Sequence, residues 1–408
     1  MLINETVVTR STFLYTLYHW YHMAPDRLNN VPGFDIDDVA RKAGDDPEVL
    51  RLENLDTNLM SDHLPDEVIS ATRSAVGTFD ANSYLPFIGK ENLREAVAEQ
   101  TNDQSGQEYS PENVVITCST GESVLDSLLA LINPGDEVVL TDPIYAGMIN
   151  RTRLAGGEPA FTPYIPNEDG WRLDQDALRE TISDETGVLL LVNPSMPSGA
   201  LLTQEEWETI SDLCQEHDVW LLYNAIWESV VFDDNPIIHP ASFEGMAERT
   251  VIAGSVTKSY GMIGWRVGWI VGPEEFMNDA ARTHIYNTTT PGGIGQAGAL
   301  AALESEFEPS EYVLTLQERR DVVTEQLREV GVTTIPSKGG WMQLMNVEEL
   351  GYDSSTASDL LLEESKIAAT PMRHWGDENS DQYVRIVFSN EPVERLEELG
   401  DRVEQALF

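Results

Sequence analysis

The sequence predicts an α/β protein with a large, mostly parallel sheet and a smaller α+β unit. Three observations predict it. Short continuous apolar runs recur along the middle of the chain: VVIT at 114–117, VLLLVN at 188–193, VWLLYN at 219–224 and TVIAGS at 250–255. Runs of this kind mark strands covered on both faces. Helical patterns lie between them, as in TQEEWETISDLCQEH at 203–217, and such alternation supplies the crossovers of a parallel sheet. The chain is also 408 residues long, more than one typical core holds.

The elements follow in order. Residues 1–65 mix an aromatic segment with acidic stretches punctuated by Pro and Gly, and read as an arm plus part of a small domain. The segment PDEVISATRSAV at 65–76 reads as a helix with Pro at its first turn. After VVIT, ESVLDSLLALI at 122–132 is an amphipathic helix stopped by Asn133-Pro134-Gly135, and EVVLTD at 137–142 is the next strand. Residues 66–305 are read as the large domain. Beyond them, EYVLTLQERRDVVTEQLREVG at 311–331 is helical, and WMQLMNV at 341–347 and YVRIVFS at 383–389 are strand-like. Residues 306–408 thus form a small α+β domain.

Composition narrows the partners. With 25 basic and 70 acidic residues, the chain carries a formal charge of −45. A surface so negative repels phosphate backbones and anionic lipid, which excludes nucleic acid and membrane surfaces as expected partners. Lysine is scarce: only Lys42, Lys90, Lys258, Lys338 and Lys366 occur. Acidic excess with few lysines points to a salty, halophilic cytoplasm, where ions screen the self-repulsion. Two cysteines, Cys118 and Cys214, form no framework and fit a reducing compartment. The first residues lack the basic start and apolar run of a signal peptide, and no stretch has the length of a membrane span. A cytoplasmic protein is expected. No metal-ligand pattern is found, since neither cysteine has a CxxC partner.

In open α/β sheets, ligands bind at the carboxyl ends of strands. VVIT is followed by Cys118-Ser119-Thr120-Gly121 and a helix. Such a turn is an anion site, because free N–H groups and the positive dipole end face the ligand; alone it reads more simply as a cap. VLLLVN runs into Asn193-Pro194-Ser195-Met196-Pro197-Ser198-Gly199, a turn stiffened by two prolines. TVIAGS runs into Val256-Thr257-Lys258-Ser259-Tyr260-Gly261, then Met262-Ile263-Gly264-Trp265-Arg266-Val267-Gly268. A rare lysine set at a strand end among apolar residues and glycines is an amine nucleophile in the making, since burial favours its neutral form.

The stretch SVTKSYGMIGWRVG resembles the lysine segment of fold-type I pyridoxal-phosphate (PLP) enzymes, the class I/II aminotransferase family. Its Ser-x-x-Lys, spacer and Gly-x-Arg-x-Gly pattern is complete. Other landmarks occur in order. Asn82-Ser83-Tyr84-Leu85-Pro86-Phe87-Ile88-Gly89 with Leu93-Arg94 is similar to the family's Tyr-x-x-x-x-Gly…Leu-Arg segment. Asn133-Pro134-Gly135-Asp136, Asp142-Pro143-Ile144-Tyr145 and Tyr383-Val384-Arg385-Ile386 resemble later ones. The joint order carries the resemblance, since Tyr145 alone could be a core aromatic and Arg385 alone a structural ion pair.

The resemblance implies a PLP-dependent aminotransferase, with PLP joined to Lys258 as a Schiff base and an amino group moved between an amino acid and a 2-oxo acid. It implies that Ser255, Arg266 and the Ser119, Thr120, Gly121 turn hold the cofactor phosphate. Tyr145 would stack on the ring, Asn193 would open the loop beside the substrate, and Arg385 would grip the substrate carboxylate. Tyr84 would reach the phosphate of the other subunit of a homodimer. Three positions depart from the family. Where an Asp and a Tyr usually tune the cofactor ring, this chain has Asn224 and Trp227, and the second loop asparagine is Met196. Asn224 cannot hold a ring nitrogen protonated as a carboxylate does. A lyase or racemase of the same fold, or a non-catalytic PLP-binding protein, stays open on the sequence. Side-chain specificity is expected from the N-terminal arm, where His19-Trp20-Tyr21-His22 clusters, and from Asn287-Thr288-Thr289-Thr290, with Arg282 and His284 nearby.

Overall fold

The computed structural model describes residues 25–408 apart from 29, 34, 54–63, 168–169, 307–309 and 378. The aromatic cluster at 19–22 lies outside the described residues.

The larger sheet has eight strands: β2 (Val114–Thr117), β3 (Glu137–Asp142), β4 (Glu158–Asn167), β5 (Gly170–Leu173), β6 (Thr186–Val192), β7 (Trp220–Asn224), β8 (Thr250–Ser255) and β9 (Gly268–Val271). Their order is β2-β9-β8-β7-β6-β3-β4-β5. The run β8-β7-β6-β3-β4 is parallel throughout. β9 enters antiparallel between β8 and β2, and β5 closes the far edge antiparallel to β4. The apolar runs read from sequence are the buried centre of this sheet; Leu189, Leu190, Leu221, Leu222, Val251 and Ile270 are all fully buried.

The helices between strands start and stop where local chemistry dictates. Helix Asp66–Ala75 follows Pro65. In helix Gln204–Glu216, the Thr203 side chain accepts from the Glu206 N–H, and the Glu206 side chain accepts from the Thr203 N–H. Helix Glu91–Ser105 ends at Gly106, whose φ of 70° is the left-handed conformation of a C-terminal cap.

A second sheet of four strands draws on both parts of the chain. β1 (Leu50–Leu52) pairs parallel with β11 (Ile367–Pro371), then come β12 (Tyr383–Val387) and β10 (Met342–Asn346), both antiparallel to their neighbours. Contacts between the sheets are direct: the Ile144 N–H, just after β3, donates to the Trp375 carbonyl at 2.6 Å. Among the described residues, no helix is long and apolar enough to cross a membrane.

Candidate functional site

The carboxyl ends of β2, β3, β6, β7 and β8 open into one cleft of about 550 Å³. Each end delivers a residue singled out from sequence. β2 leads through Cys118 into helix Ser119–Leu131, and Ser119 takes a φ of 70°. β8 leads into the short helix Val256–Ser259. Hydroxyl groups join the two turns. The Thr120 hydroxyl donates to Ser255 Oγ at 2.9 Å, and Ser119 Oγ lies 3.0 Å from Thr257 Oγ1. Ser255 Oγ also accepts the Thr257 N–H at 3.3 Å.

β9 explains the glycine that follows Arg266. Gly268 packs so tightly that a Cβ there would lie 2.7 Å from Ser119 Cα and 2.8 Å from the Gly254 carbonyl oxygen. Only glycine permits that approach. Arg266, with φ of 55°, donates to the Ile263 carbonyl at 3.0 Å and lines the cleft.

Lys258 is 8% exposed. Its Nζ sits 4.0 Å from the centre of the Trp341 ring and 5.5 Å from that of Trp227. The two indoles meet edge to face at 4.9 Å. The amine is thus held between aromatic faces, which attract a cation electrostatically and limit the directions the side chain can take. Tyr145 precedes helix Ala146–Ala155 and meets the Trp375 ring at 5.4 Å and 61°. Its N–H donates to the Met196 carbonyl at 2.9 Å. Asn224, at the end of β7, is buried and lines the same cleft.

Arg385 on β12 is fully buried. Its Nη2 donates to the Glu53 carbonyl at 2.5 Å and to Thr370 Oγ1 at 3.1 Å, and its guanidinium lies 4.7 Å from the Trp375 ring centre. Trp375 therefore bridges Tyr145 on one sheet and Arg385 on the other. Nε and Nη1 of Arg385 are buried with no hydrogen-bond partner among the described residues. Burial pulls its pKa down to about 9, against the opposing pull of Tyr145 and Glu53.

Four predicted residues, Ser255, Arg385, Asn193 and Tyr84, are not among those lining the cleft. Asn193 is buried, and its Oδ1 accepts the Leu202 N–H at 3.0 Å, so its side chain ties the two ends of the loop together ahead of helix Gln204–Glu216. Tyr84 is 83% exposed.

Several residues were not foreseen. Arg151 lines the cleft and donates to the Gly121 and Gly147 carbonyls at 2.8 and 2.7 Å. Its signal was the spacing Tyr145, Met148, Arg151, which sets three side chains on one helix face. Trp341 and Trp375 carried no local signal, because tertiary packing brings them in. His284 does not face substrate space. It is buried between Glu122, at 2.9 Å, and Asp126, at 3.7 Å, and its Nε2 donates to the Phe87 carbonyl at 2.9 Å. Burial alone would lower its pKa, but hydrogen bonds to Asp126 and Glu122 push it up to about 9. This buried ion cluster stands behind the Ser119–Gly121 turn. Arg282 faces solvent and pairs with Asp279 at 3.1 Å.

The charge of the cleft opposes that of the chain. Its described lining holds Lys258, Arg266 and Arg151 and no carboxylate, in a molecule with 70 acidic residues. Such a site takes an anion at the turn and a carbonyl or carboxylate near the amine.

The family comparison agrees with this geometry. The description "Aminotransferase class I and II" matches residues 51–403. The chain belongs to the class I and II aminotransferases. It is 32% identical to aromatic-amino-acid aminotransferase 2 of Thermococcus litoralis, over 79% of this chain and 84% of that protein. It is 29% identical to a probable N-succinyldiaminopimelate aminotransferase of Mycobacterium tuberculosis, over 86% and 92%. Among solved structures, aspartate aminotransferase from Thermus thermophilus with maleate superposes with a TM-score of 0.86 at 25% identity, covering 94% of this chain and 99% of that one. An aromatic aminotransferase from Pyrococcus horikoshii gives 0.80 at 30% identity, covering 84% and 92%. Aminotransferases of this family depend on PLP, and this chain is an aminotransferase of that kind.

Proposed function

We propose that this aminotransferase binds pyridoxal phosphate in the cleft at the strand ends and moves an amino group between an amino acid and a 2-oxo acid through Lys258. One observation carries the reading. A nearly buried lysine and a Ser/Thr/Gly turn at a helix N-terminus share a cleft whose described lining is cationic in a strongly acidic chain.

The residues fit the cofactor. Ser119, Thr120 and Gly121 offer N–H groups and hydroxyls where the helix dipole is positive, and Arg266 and Ser255 add a charge and a hydroxyl for a phosphate. Arg151 brings a further guanidinium beside Gly121. Bound PLP supplies the electron sink that lets a bond to the substrate Cα break. Lys258 Nζ is the amine that attaches the cofactor and, once released, the base that moves the α-proton. The indoles of Trp227 and Trp341 hold that amine in place and exclude water around it. Tyr145 supplies a flat face to a ring. Nε and Nη1 of Arg385, without a partner among the described residues, match a carboxylate bidentately, which fixes which Cα bond is aligned to break.

We further propose that the working unit is a homodimer in a salty cytoplasm, with residues 1–65 as an arm and part of the small domain and residues 306–408 as the rest of that domain. Tyr84 and Phe79, both 83% exposed, and the half-exposed Phe87 support a second copy covering that face. The charge of −45 and the free thiols of Cys118 and Cys214 support the setting.

The test is a transfer assay in high salt: PLP, a panel of amino acids and a panel of 2-oxo acids, with products identified by mass spectrometry. The expected result is a new amino acid that carries the donor's nitrogen, absent with Lys258→Ala. Consumption or inversion of the amino acid with no nitrogen in any acceptor overturns transamination in favour of lyase or racemase chemistry.

A further inference from the structure

Asn224 presents a fixed hydrogen-bond donor to the cleft. Its Oδ1 accepts the Ile226 N–H at 3.1 Å, so the amide oxygen is turned toward the backbone. A backbone N–H needs an acceptor, and this settles which end of the amide is oxygen. The opposite end, Nδ2, has among the described residues the Met148 sulfur as its partner, 3.8 Å away and a weak acceptor. Asn224 and Met148 both line the cleft. In the sheet, Asn224 is flanked by Val192 on β6 and Ala253 on β8, neither of which titrates. Glu228, the acid closest in sequence, is engaged by the Tyr223 hydroxyl at 2.5 Å and is not part of the cleft lining; burial pushes its pKa up to about 7, favouring the neutral acid. At the end of β7, then, the cleft offers an N–H and no negative charge.

We propose that Asn224 makes this site select the cofactor with its pyridine nitrogen unprotonated. The inference rests on the PLP reading above and deepens it. A neutral ring nitrogen has a lone pair that accepts from Nδ2. With the amide oxygen turned toward the Ile226 N–H, a pyridinium N–H facing Nδ2 would meet another N–H donor. The ring proton is therefore given up to solvent on binding, and Asn224 is a positioning and tuning residue for the cofactor. The bound ring then withdraws electrons less strongly than a pyridinium would, which puts more of the work of α-proton removal on the base Lys258.

The test uses the full-length protein loaded with PLP labelled with nitrogen-15 in the ring. Nitrogen-15 NMR reads the protonation state directly. The native protein is expected to show the unprotonated pyridine signal from about pH 6 to about pH 8, and Asn224→Asp, which keeps the size of the side chain, is expected to move it to the pyridinium position. A binding titration needs no altered ring-partner fold. The N-methyl pyridinium analogue, which carries a permanent charge, should bind the native protein more weakly relative to PLP than it binds Asn224→Asp, by roughly tenfold for one such contact. A pyridinium signal in the native protein overturns the proposal. So does an unprotonated signal in both proteins, which would take Asn224 out of the role. Failure of labelled PLP to bind the native protein at all overturns the cofactor reading itself, and this inference with it.

Discussion

Arg385 holds a positive charge that the described fold answers only in part. Nη2 is satisfied by the Glu53 carbonyl and Thr370, while Nε and Nη1 are buried without partners. A buried guanidinium left in that state costs stability, and a substrate carboxylate would recover it. Arg385→Gln is therefore predicted to lower kcat/KM by at least roughly a hundredfold, the loss of a bidentate charge-assisted pair, with no loss of thermal stability. Steady-state kinetics beside a thermal melt decide it: a collapsed melt with intact kcat/KM would make Arg385 a structural residue. At this scale the sequence was readable where a motif fixes spacing. Lys258, Arg266, Tyr145 and the Ser119–Gly121 turn could be named because each follows a strand end at a set distance. Trp341 and Trp375 could not, because their place in the site comes from packing between distant segments. Asn193 shows a mixed case: the motif was legible, and the structure adds that its Oδ1 accepts the Leu202 N–H.

At the scale of elements, the helix that begins at Ser119 has two supports. One is the hydroxyl lacing to the turn after β8. The other is the buried cluster of Glu122, Asp126 and His284, which fastens the first turns of this helix to helix Glu274–Asn287 and to the Phe87 carbonyl. Glu122 also accepts the Cys118 N–H, at the mouth of the turn. His284 is lifted from 6.5 to about 9 by its carboxylates. The folded chain therefore holds a proton that the unfolded chain releases. The contribution is complete below pH 6.5 and lost as pH rises through about 9. Denaturant unfolding at fixed salt should show stability falling on the order of 3 kcal/mol across that window. In His284→Gln the fall should vanish, with a lower stability at neutral pH because two buried carboxylates lose their cation. An unchanged slope in the variant would place the pH dependence elsewhere. The strands read as apolar runs were legible nearly residue for residue, since runs covered on both faces leave little choice, whereas β1, β4, β5 and β11 were not named. The antiparallel entry of β9 was not, because four residues, Gly268–Val271, carry too little pattern to fix a direction.

The whole molecule sets a cationic cleft in an anionic body. With a charge of −45, the folded state works against its own repulsion unless ions screen it. The screening length falls from about 10 Å at 0.1 M salt to about 3 Å at 1 M. The melting temperature is predicted to rise over that range, followed by calorimetry at one pH; a melt that is flat or falls with salt would contradict the salt-adapted reading. Composition alone disclosed this property, because charge needs no fold to be counted. That Tyr84 and Phe79 stand exposed needed the structure, since exposure depends on what the fold packs around a side chain.

The central claim is that Lys258 and the cradle around it hold pyridoxal phosphate. The most direct measurement is an absorbance titration of the purified protein with PLP in high salt, run beside Lys258→Ala. The account predicts a saturable visible band in the native protein that the variant cannot form, with phosphate competing for the same site. Identical spectra from the two proteins, or no band at saturating PLP, would contradict it.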